Sequence, residues 1–598
     1  MEFASQEAVY QPTRDHIHVL ADLLPSTSTF DYLTNYNLYL LATFLIVATA
    51  IYTNYFSSIG TRPEKSLADF GQVVQDLDKK GVLSWIKKSP EKNAACASKL
   101  VVSDVSGAEH ASVDTDGVLE RKRMEFKGTL FESEDWIRPL GKLEVLIVTG
   151  GYYGSMNTIQ TLWLSSSQPI LPEMVRQAIT TVAQRTEVLQ LCVRRRWFWP
   201  WFCRRTHVRV PFKVEHGDVM TIYYKLLHSP YNMARGPLWR ARLVPLPKTN
   251  VARHEAVLMF TIHHCATDAF TNMLVARETL KVLNSAMVGQ VYQPPPRAFT
   301  PFICDDLVTK AHWYHALKFA VYKLCSPTVG NFNKHVYFNG TIPQPKCTLS
   351  STKVLHEELC VKDTQNLLKY CKEAGVTVHS CIMTAANLAV FHSAQQRSDV
   401  ELEPVTIRAM NCVNMRRYYP KEYREATGCH ISVEEQELTI SGSDGNSKES
   451  FWSLAKRSHL SLQQSLLVDK DPIRNTLGLL PCALLIPLNH WLARFNCKNL
   501  NDSHLISTNM GDLRDILPGR YDGPVEITKI LRCSSDELTG HPYTLIFHTF
   551  RDRFCVTLEY YTNKIADEDA ARYFSILTNY ISDLANHGSV DISKDRKI

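Results

Sequence analysis

Between Tyr32 and Thr61 the chain carries no charged side chain, and Leu38–Tyr52 is apolar almost throughout. Extended to residues 36–57, this is a segment of about 20 residues, long enough at ~1.5 Å per residue to cross a ~30 Å hydrocarbon core. Tyr32, Tyr36 and Tyr39 flank one end and Tyr52, Tyr55 and Phe56 the other, as an interfacial aromatic belt requires. The pattern predicts a transmembrane helix over 36–57 behind an N-terminal tail, 1–35; a buried core helix is the alternative. A cleaved signal peptide fits poorly, because a mixed-polarity stretch precedes the apolar run and no basic region abuts it. Arg62 and Lys65 follow the span, whereas no Lys or Arg lies between His16 and Tyr36. The positive-inside rule then puts the C-terminal bulk in the cytosol, as for a single-pass protein of the endoplasmic reticulum.

Beyond the span, Ser66–Lys88 has apolar residues at helical spacing, and 89–128 turns polar with few aromatics. Residues 58–135 therefore read as an amphipathic helix followed by a linker. From Trp136 the pattern becomes α/β. Strands are expected at Leu143–Thr149, Ala256–Ile262, Val405–Met410, Tyr543–Phe550 and Phe554–Tyr560, the last two joined by a tight turn at Arg551–Arg553. Helices are expected at Pro172–Arg185, Asp268–Met287, Thr377–Ser393 and Asp567–Leu584. Gln293–Pro301 and Ser441–Ser450 read as surface loops.

Composition narrows the classes. Hydrophobic residues make up 45% and charged residues 21%, ordinary globular usage. A net charge of +6 over 598 residues is too slight for a nucleic-acid footprint, so nucleic acid is not an expected partner. The 16 cysteines contain no Cys-x-x-Cys pair, which removes the usual spacing of structural zinc and dithiol redox sites. Cys304, Cys381 and Cys412 lie in apolar surroundings and read as buried, reduced thiols. Arg194–Arg205 (RRRWFWPWFCRR) interleaves arginine with aromatics. It suits an anionic membrane surface better than nucleic-acid bases in a chain already carrying an apolar span, with a buried aromatic loop as the other reading.

The chemistry concentrates at His263-His264-Cys265-Ala266-Thr267-Asp268. An uncharged strand, Ala256–Ile262, ends in the two histidines, and Asp268 stands where it would cap the next helix. Strand-to-helix junctions of this kind build clefts in α/β proteins. A neutral imidazole there can accept a proton from a hydroxyl or amine at pH 7. Adjacent histidines at a strand end point to opposite sides and rarely share a metal, so no metal is expected. A capping arrangement without catalysis is the plainer alternative.

His-His-x-x-x-Asp resembles the signature of the condensation-domain and chloramphenicol-acetyltransferase-like superfamily of CoA-dependent acyltransferases. Arg138–Glu144 looks like the opening of its alcohol acetyltransferase branch, and Gly236–Arg240 like the element that leads into the histidine motif. Gly375–Val378, Asn414–Arg416 and Ser507–Gly511 resemble further elements, in the family's order, over residues 136–588. The resemblance implies two α/β lobes, 136–345 and 346–598, with a tunnel between them. It implies His264 as general base, His263 as support, Asp268 as a structural carboxylate paired with Arg416, and no acyl-enzyme. By position, Ser507, Thr508, Asn509 and Asn414 are the substrate or oxyanion candidates. Acyl-CoA is the expected co-substrate, with no bound cofactor, and the span favours a hydrophobic alcohol as acceptor. Ala269 departs from the Gly common in condensation domains, and the Asp-Phe-Gly-x-Gly motif of plant acyltransferases is missing. Amide formation and a non-catalytic membrane-tethered scaffold are the competing functions. No Gly-x-Ser-x-Gly elbow or Walker loop supports a hydrolase or P-loop reading.

Overall fold

The computed structural model describes residues 125–127, 136–151, 155–300, 351–469 and 503–590, with short breaks at 197–198, 206, 248–252, 398–403, 443, 446 and 536–540. All of these belong to one unit, Leu119–Ile598. The expected transmembrane helix at 36–57, the tail before it, almost all of 58–135 and Cys304 lie outside the described residues. Among those described, no single helix is long and apolar enough to cross a membrane.

Strands β1 (Glu125–Lys127) and β2 (Trp136–Pro139) precede helix α1 (Lys142–Gly151). This helix replaces the strand expected at Leu143–Thr149. Leu143, Val145, Ile147 and Val148 are all buried, so the run has no polar face, and periodicity cannot separate strand from helix. Local capping decides it. Glu144 accepts the Gly141 N–H at 2.7 Å, and Arg138 grips both carboxylate oxygens at 2.7 and 2.8 Å. There follow β3 (Asn157–Ser166), α2 (Pro172–Arg185), β4 (Leu191–Arg196), β5 (Trp199–Arg204), β6 (His207–Arg209), β7 (Phe212–Val214) and α3 (Val219–Leu227). Next come β8 (Trp239–Pro245), β9 (His254–His263) and α4 (Ala269–Met287).

The second half begins with β10 (Thr352–Glu358), α5 (Val361–Glu373), α6 (Val378–Gln395), β11 (Val405–Asn414) and β12 (Ile431–Ile440). It ends with α7 (Lys448–Gln463), β13 (Leu505–Asp512), β14 (Val525–Ser534), β15 (Tyr543–Phe550), β16 (Arg553–Tyr561) and α8 (Asp567–His587). Arg551 and Asp552 both adopt positive φ, 51° and 60°, the geometry that matches a tight turn to the strand twist of the β15–β16 hairpin.

Two large sheets result. The first runs β14-β3-β9-β8-β7 and the second β10-β16-β15-β13-β11-β12. β14 comes from the second half of the chain and pairs antiparallel with β3. In the second sheet, Tyr543, Leu545, Phe547, Val556 and Leu558 enter a core shared with α6 and α8. The alternate residues of the same strands, including Thr544, His548, Thr557 and Glu559, take the opposite face. That period of two places buried polar groups on the side facing away from the helices.

Asn284 of α4 secures the crossing strand. Its side-chain amide accepts the Val525 N–H at 2.8 Å and donates to the Val525 carbonyl at 3.0 Å. Asn284→Ala leaves both buried backbone groups without partners and is expected to cost about 2–4 kcal/mol, read as a lower urea midpoint at unchanged slope.

Arg194–Arg205 forms the β4–β5 hairpin, which β2 extends to three strands. Phe202 and Cys203 are buried while Arg194–Arg196 are exposed. Trp199 is half-buried and donates from Nε1 to the Leu140 carbonyl at 3.1 Å. The stretch is therefore part core and part surface. The loop expected at Gln293–Pro301 is also tethered: Phe299 is buried edge-on to Phe202, 4.8 Å between centroids, with the Arg138 guanidinium 4.4 Å from its own. Within Ser441–Ser450 the loop ends at Ser447, whose hydroxyl caps α7.

Candidate active site

β9 terminates at His263, and His264–Ala266 make one turn of 3-10 helix before α4 begins. The His264 backbone N–H donates to the Met156 carbonyl at 2.9 Å, fixing the residue beside the end of β3. Its ring is half-buried, with Nδ1 2.7 Å from the Thr267 carbonyl oxygen. A carbonyl only accepts, so this bond assigns the proton to Nδ1 and leaves the lone pair on Nε2. No partner for Nε2 is found among the described residues. Burial first, and then the positive charge of Arg532, push the imidazole pKa below its ordinary value. The ring is neutral at neutral pH and holds a base at Nε2. Cys429 Sγ sits 3.7 Å from Nδ1, and burial keeps that thiol protonated.

His263 turns to the other side of the strand end and is buried. Its Nδ1 accepts the Cys265 N–H at 3.2 Å, and its ring lies edge-on to Tyr231 at 6.0 Å. Burial and the neighbouring His264 push its pKa down to about 3. The two rings therefore do not converge, and no group of three His, Cys, Asp or Glu side chains suited to a metal occurs among the described residues.

Asp268 is the N-cap of α4, its Oδ1 accepting the Thr271 N–H at 2.9 Å. The Arg416 guanidinium meets both carboxylate oxygens, Nη1 to Oδ2 at 2.7 Å and Nη2 to Oδ1 at 3.2 Å. The His430 N–H adds a second contact to Oδ2, at 2.9 Å. Burial alone would raise the Asp268 pKa, but Arg416 and these hydrogen bonds hold it well below the usual carboxylate range. Arg416 also donates to the Ala426 carbonyl at 2.8 Å and to Thr271 Oγ1 at 3.1 Å. Asp268 follows β9 of the first sheet and Arg416 follows β11 of the second, so the pair ties the two sheets together beside His264.

The remaining sequence candidates lie on different faces of their elements. Ser507 lies in register with Leu545, whose side chain enters the helix-packed core, and its hydroxyl donates to Asn411 Oδ1 at 2.9 Å. Thr508, one residue on, takes the opposite face and is half-buried. Asn509 is exposed and accepts the Gly511 N–H at 2.8 Å. Asn414 is exposed and caps the turn leading to Arg416, accepting its N–H at 3.1 Å. Sequence reading missed Arg532, whose buried charge acts on His264. The available signal was an arginine between Leu531 and Cys533 in an otherwise apolar strand end.

No protein-family profile and no curated protein match this sequence. Solved structures do match. Trichothecene 15-O-acetyltransferase from Fusarium sporotrichioides superposes with a TM-score of 0.58 at 12% identity, over 77% of this chain and 97% of that one. The epimerization domain from the third module of tyrocidine synthetase B gives 0.53 at 13%, over 76% and 98%. The first condensation domain of the calcium-dependent antibiotic synthetase gives 0.53 at 13%, over 77% and 99%. At these identities the likeness is one of fold: the chain has a mixed α/β fold like that of this acetyltransferase and these epimerization and condensation domains.

Proposed function

We propose that this chain is a membrane-anchored acyltransferase of the alcohol acetyltransferase type, moving an acyl group from acyl-CoA to the hydroxyl of a hydrophobic alcohol. The observation that carries the reading is His264: a neutral imidazole with Nδ1 engaged by the Thr267 carbonyl and its base at Nε2, in a fold shared with an O-acetyltransferase. Nε2 takes the acceptor proton as the hydroxyl oxygen attacks the thioester carbonyl. The tetrahedral intermediate then expels the CoA sulfur, and the proton passes from Nε2 to the departing thiolate, yielding ester and free CoA. A thioester is already activated, so proximity, one base and oxyanion stabilisation are sufficient. Thr508, on the face opposite the helix layer, is the oxyanion donor favoured among the sequence candidates; Asp268 and Arg416 position rather than react. The segment 36–57 holds the body at the endoplasmic reticulum membrane on its cytosolic side, with the exposed arginines of Arg194–Arg205 against the lipid surface, where lipophilic alcohols concentrate.

Purified protein offered one acyl-CoA with matched alcohols and amines tests the product class. Ester with stoichiometric free CoA supports the reading, and amide alone replaces it with N-acylation. The pH dependence offers a second test. Protonating Nε2 abolishes the base, and burial and Arg532 lower the pKa. The acid limb of kcat/KM is therefore expected below the ordinary histidine value of 6.5; a limb above it contradicts the assignment.

A further inference from the structure

Buried polar groups without partners cluster at the seam where β14 of the first sheet meets β13 and β15 of the second. Gln160 on β3 and Arg532 on β14 stand directly opposite each other in the strand register. Gln160 is fully buried, and neither Oε1 nor Nε2 has a hydrogen-bond partner. Arg532 is 5% exposed; its Nε is unpartnered, and Nη1 meets only the thioether of Met510, at 3.8 Å. His548 on β15, beside Gly511 in the β13 register, is 2% exposed with neither ring nitrogen partnered. Buried polar atoms are nearly always satisfied, by protein, water or ligand, and a buried charge calls for an opposite one.

No carboxylate lies within ion-pair distance of Arg532 among the described residues. The nearby candidate is Glu559, fully buried and accepting from the Ser534 N–H at 2.8 Å and its hydroxyl at 3.2 Å. Burial pushes its pKa up to about 8, so at neutral pH it is largely protonated and leaves the guanidinium uncompensated. His548 is neutral as well, its pKa pushed down to about 3 by burial and by the His356 and Arg532 charges. The cluster therefore offers a permanent cation, amide donors and one imidazole N–H, with few acceptors. A carboxylate matches that inventory; an apolar chain or a second cation does not.

Building on the acyl-transfer reading, we propose that Gln160, Arg532 and His548 form a carboxylate subsite beside His264, selecting substrates that bear a carboxylate away from the reacting centre. The carboxylate belongs either to a hydroxy acid acceptor or to the acyl group of a dicarboxylic mono-thioester of CoA. Arg532 supplies the counter-charge, Gln160 orients the carboxylate through its amide, and His548 closes the site with its N–H. Gln160 lies three residues along β3 from Asn157, which stands opposite His263 in the strand register, so the subsite lies near the end of the strand that carries the base.

Two arms separate the sources in the purified full-length protein. One offers aliphatic hydroxy acids of increasing chain length, each against its methyl ester, with acetyl-CoA. The other offers a plain long-chain alcohol with succinyl-CoA against butyryl-CoA. In one arm the carboxylate form is expected to be favoured roughly 10- to 100-fold in kcat/KM, the span of a charged hydrogen-bonded contact. Arg532→Met is expected to collapse that ratio to near unity, and Gln160→Leu, which keeps the charge, to reduce it by roughly threefold to tenfold. Should Arg532→Met not fold, the Gln160→Leu ratio decides. Equilibrium binding of the same acid and ester pairs, and of the two thioesters, to His264→Ala separates this proposal from the chemistry: a preference for the carboxylate form in either set sustains the subsite even if no acceptor is ever acylated. Equal treatment by the wild type of acid and ester, and of succinyl-CoA and butyryl-CoA, as water molecules filling the cluster would produce, overturns it.

Discussion

Replacing His264 with alanine is expected to lower ester formation by about 10²- to 10⁴-fold, the range a positioned general base contributes, with the fold retained. The Nδ1 bond to the Thr267 carbonyl both selects the tautomer and aims the ring. Glutamine, which can donate but offers no comparable base, is expected to fail as fully as alanine. KM for acyl-CoA should move little, because the loss falls on the transition state. The ring is half-buried and its backbone contacts, His264 N–H to Met156 among them, survive the substitution. A thermal midpoint close to wild type therefore separates lost chemistry from lost structure. Turnover near normal in this variant would remove His264 from the mechanism.

Removing Arg416 should instead act on stability. Arg416→Met strands Asp268, buried to 1% exposure, with its charge uncompensated, an outcome that costs about 3–5 kcal/mol. It also releases the Ala426 carbonyl and Thr271 Oγ1, loosening the loop ahead of β12 from the start of α4. Activity is expected to fall with it, since the same short turn that carries His264 ends at Asp268, the cap of α4. The pH dependence follows from the sign of the shift. The folded-state pKa of Asp268 lies below its unfolded value, so its contribution is complete above about pH 4 and is lost as pH falls toward the folded value. Below about pH 4 the thermal midpoint of the wild type should fall more steeply than that of an Asp268→Asn, Arg416→Met double variant; equal slopes would show that the pair contributes no linkage.

Much of this was legible along the chain. The helices at Pro172–Arg185 and Asp567–His587, the β15–β16 hairpin and the capped junction at Asp268 carry local signals: a 3.6 period, a cap, a polar turn. The strand expected at Leu143–Thr149 failed because its apolar positions show no one-sided period to read, and Glu144, accepting the Gly141 N–H and held by Arg138, settled it as a helix start. Period two also limits the oxyanion set, since Ser507 and Thr508 cannot face the same way, and the register gives Ser507 to the helix layer. What no local pattern contains is the placement of β14. Its pairing with β3 joins residues hundreds of positions apart, and only that pairing sets Arg532 opposite Gln160 and within electrostatic reach of His264.

The most direct test of acyl transfer counts products. Detergent-purified protein is incubated with labelled acyl-CoA and a panel of lipophilic alcohols, and ester and free CoA are quantified together, for the wild type and His264→Ala. The wild type is expected to release one CoA per ester formed, and the variant almost none of either. CoA release without ester, or ester formed equally well by both proteins, would contradict the assignment of His264 as the base of an alcohol acyltransferase.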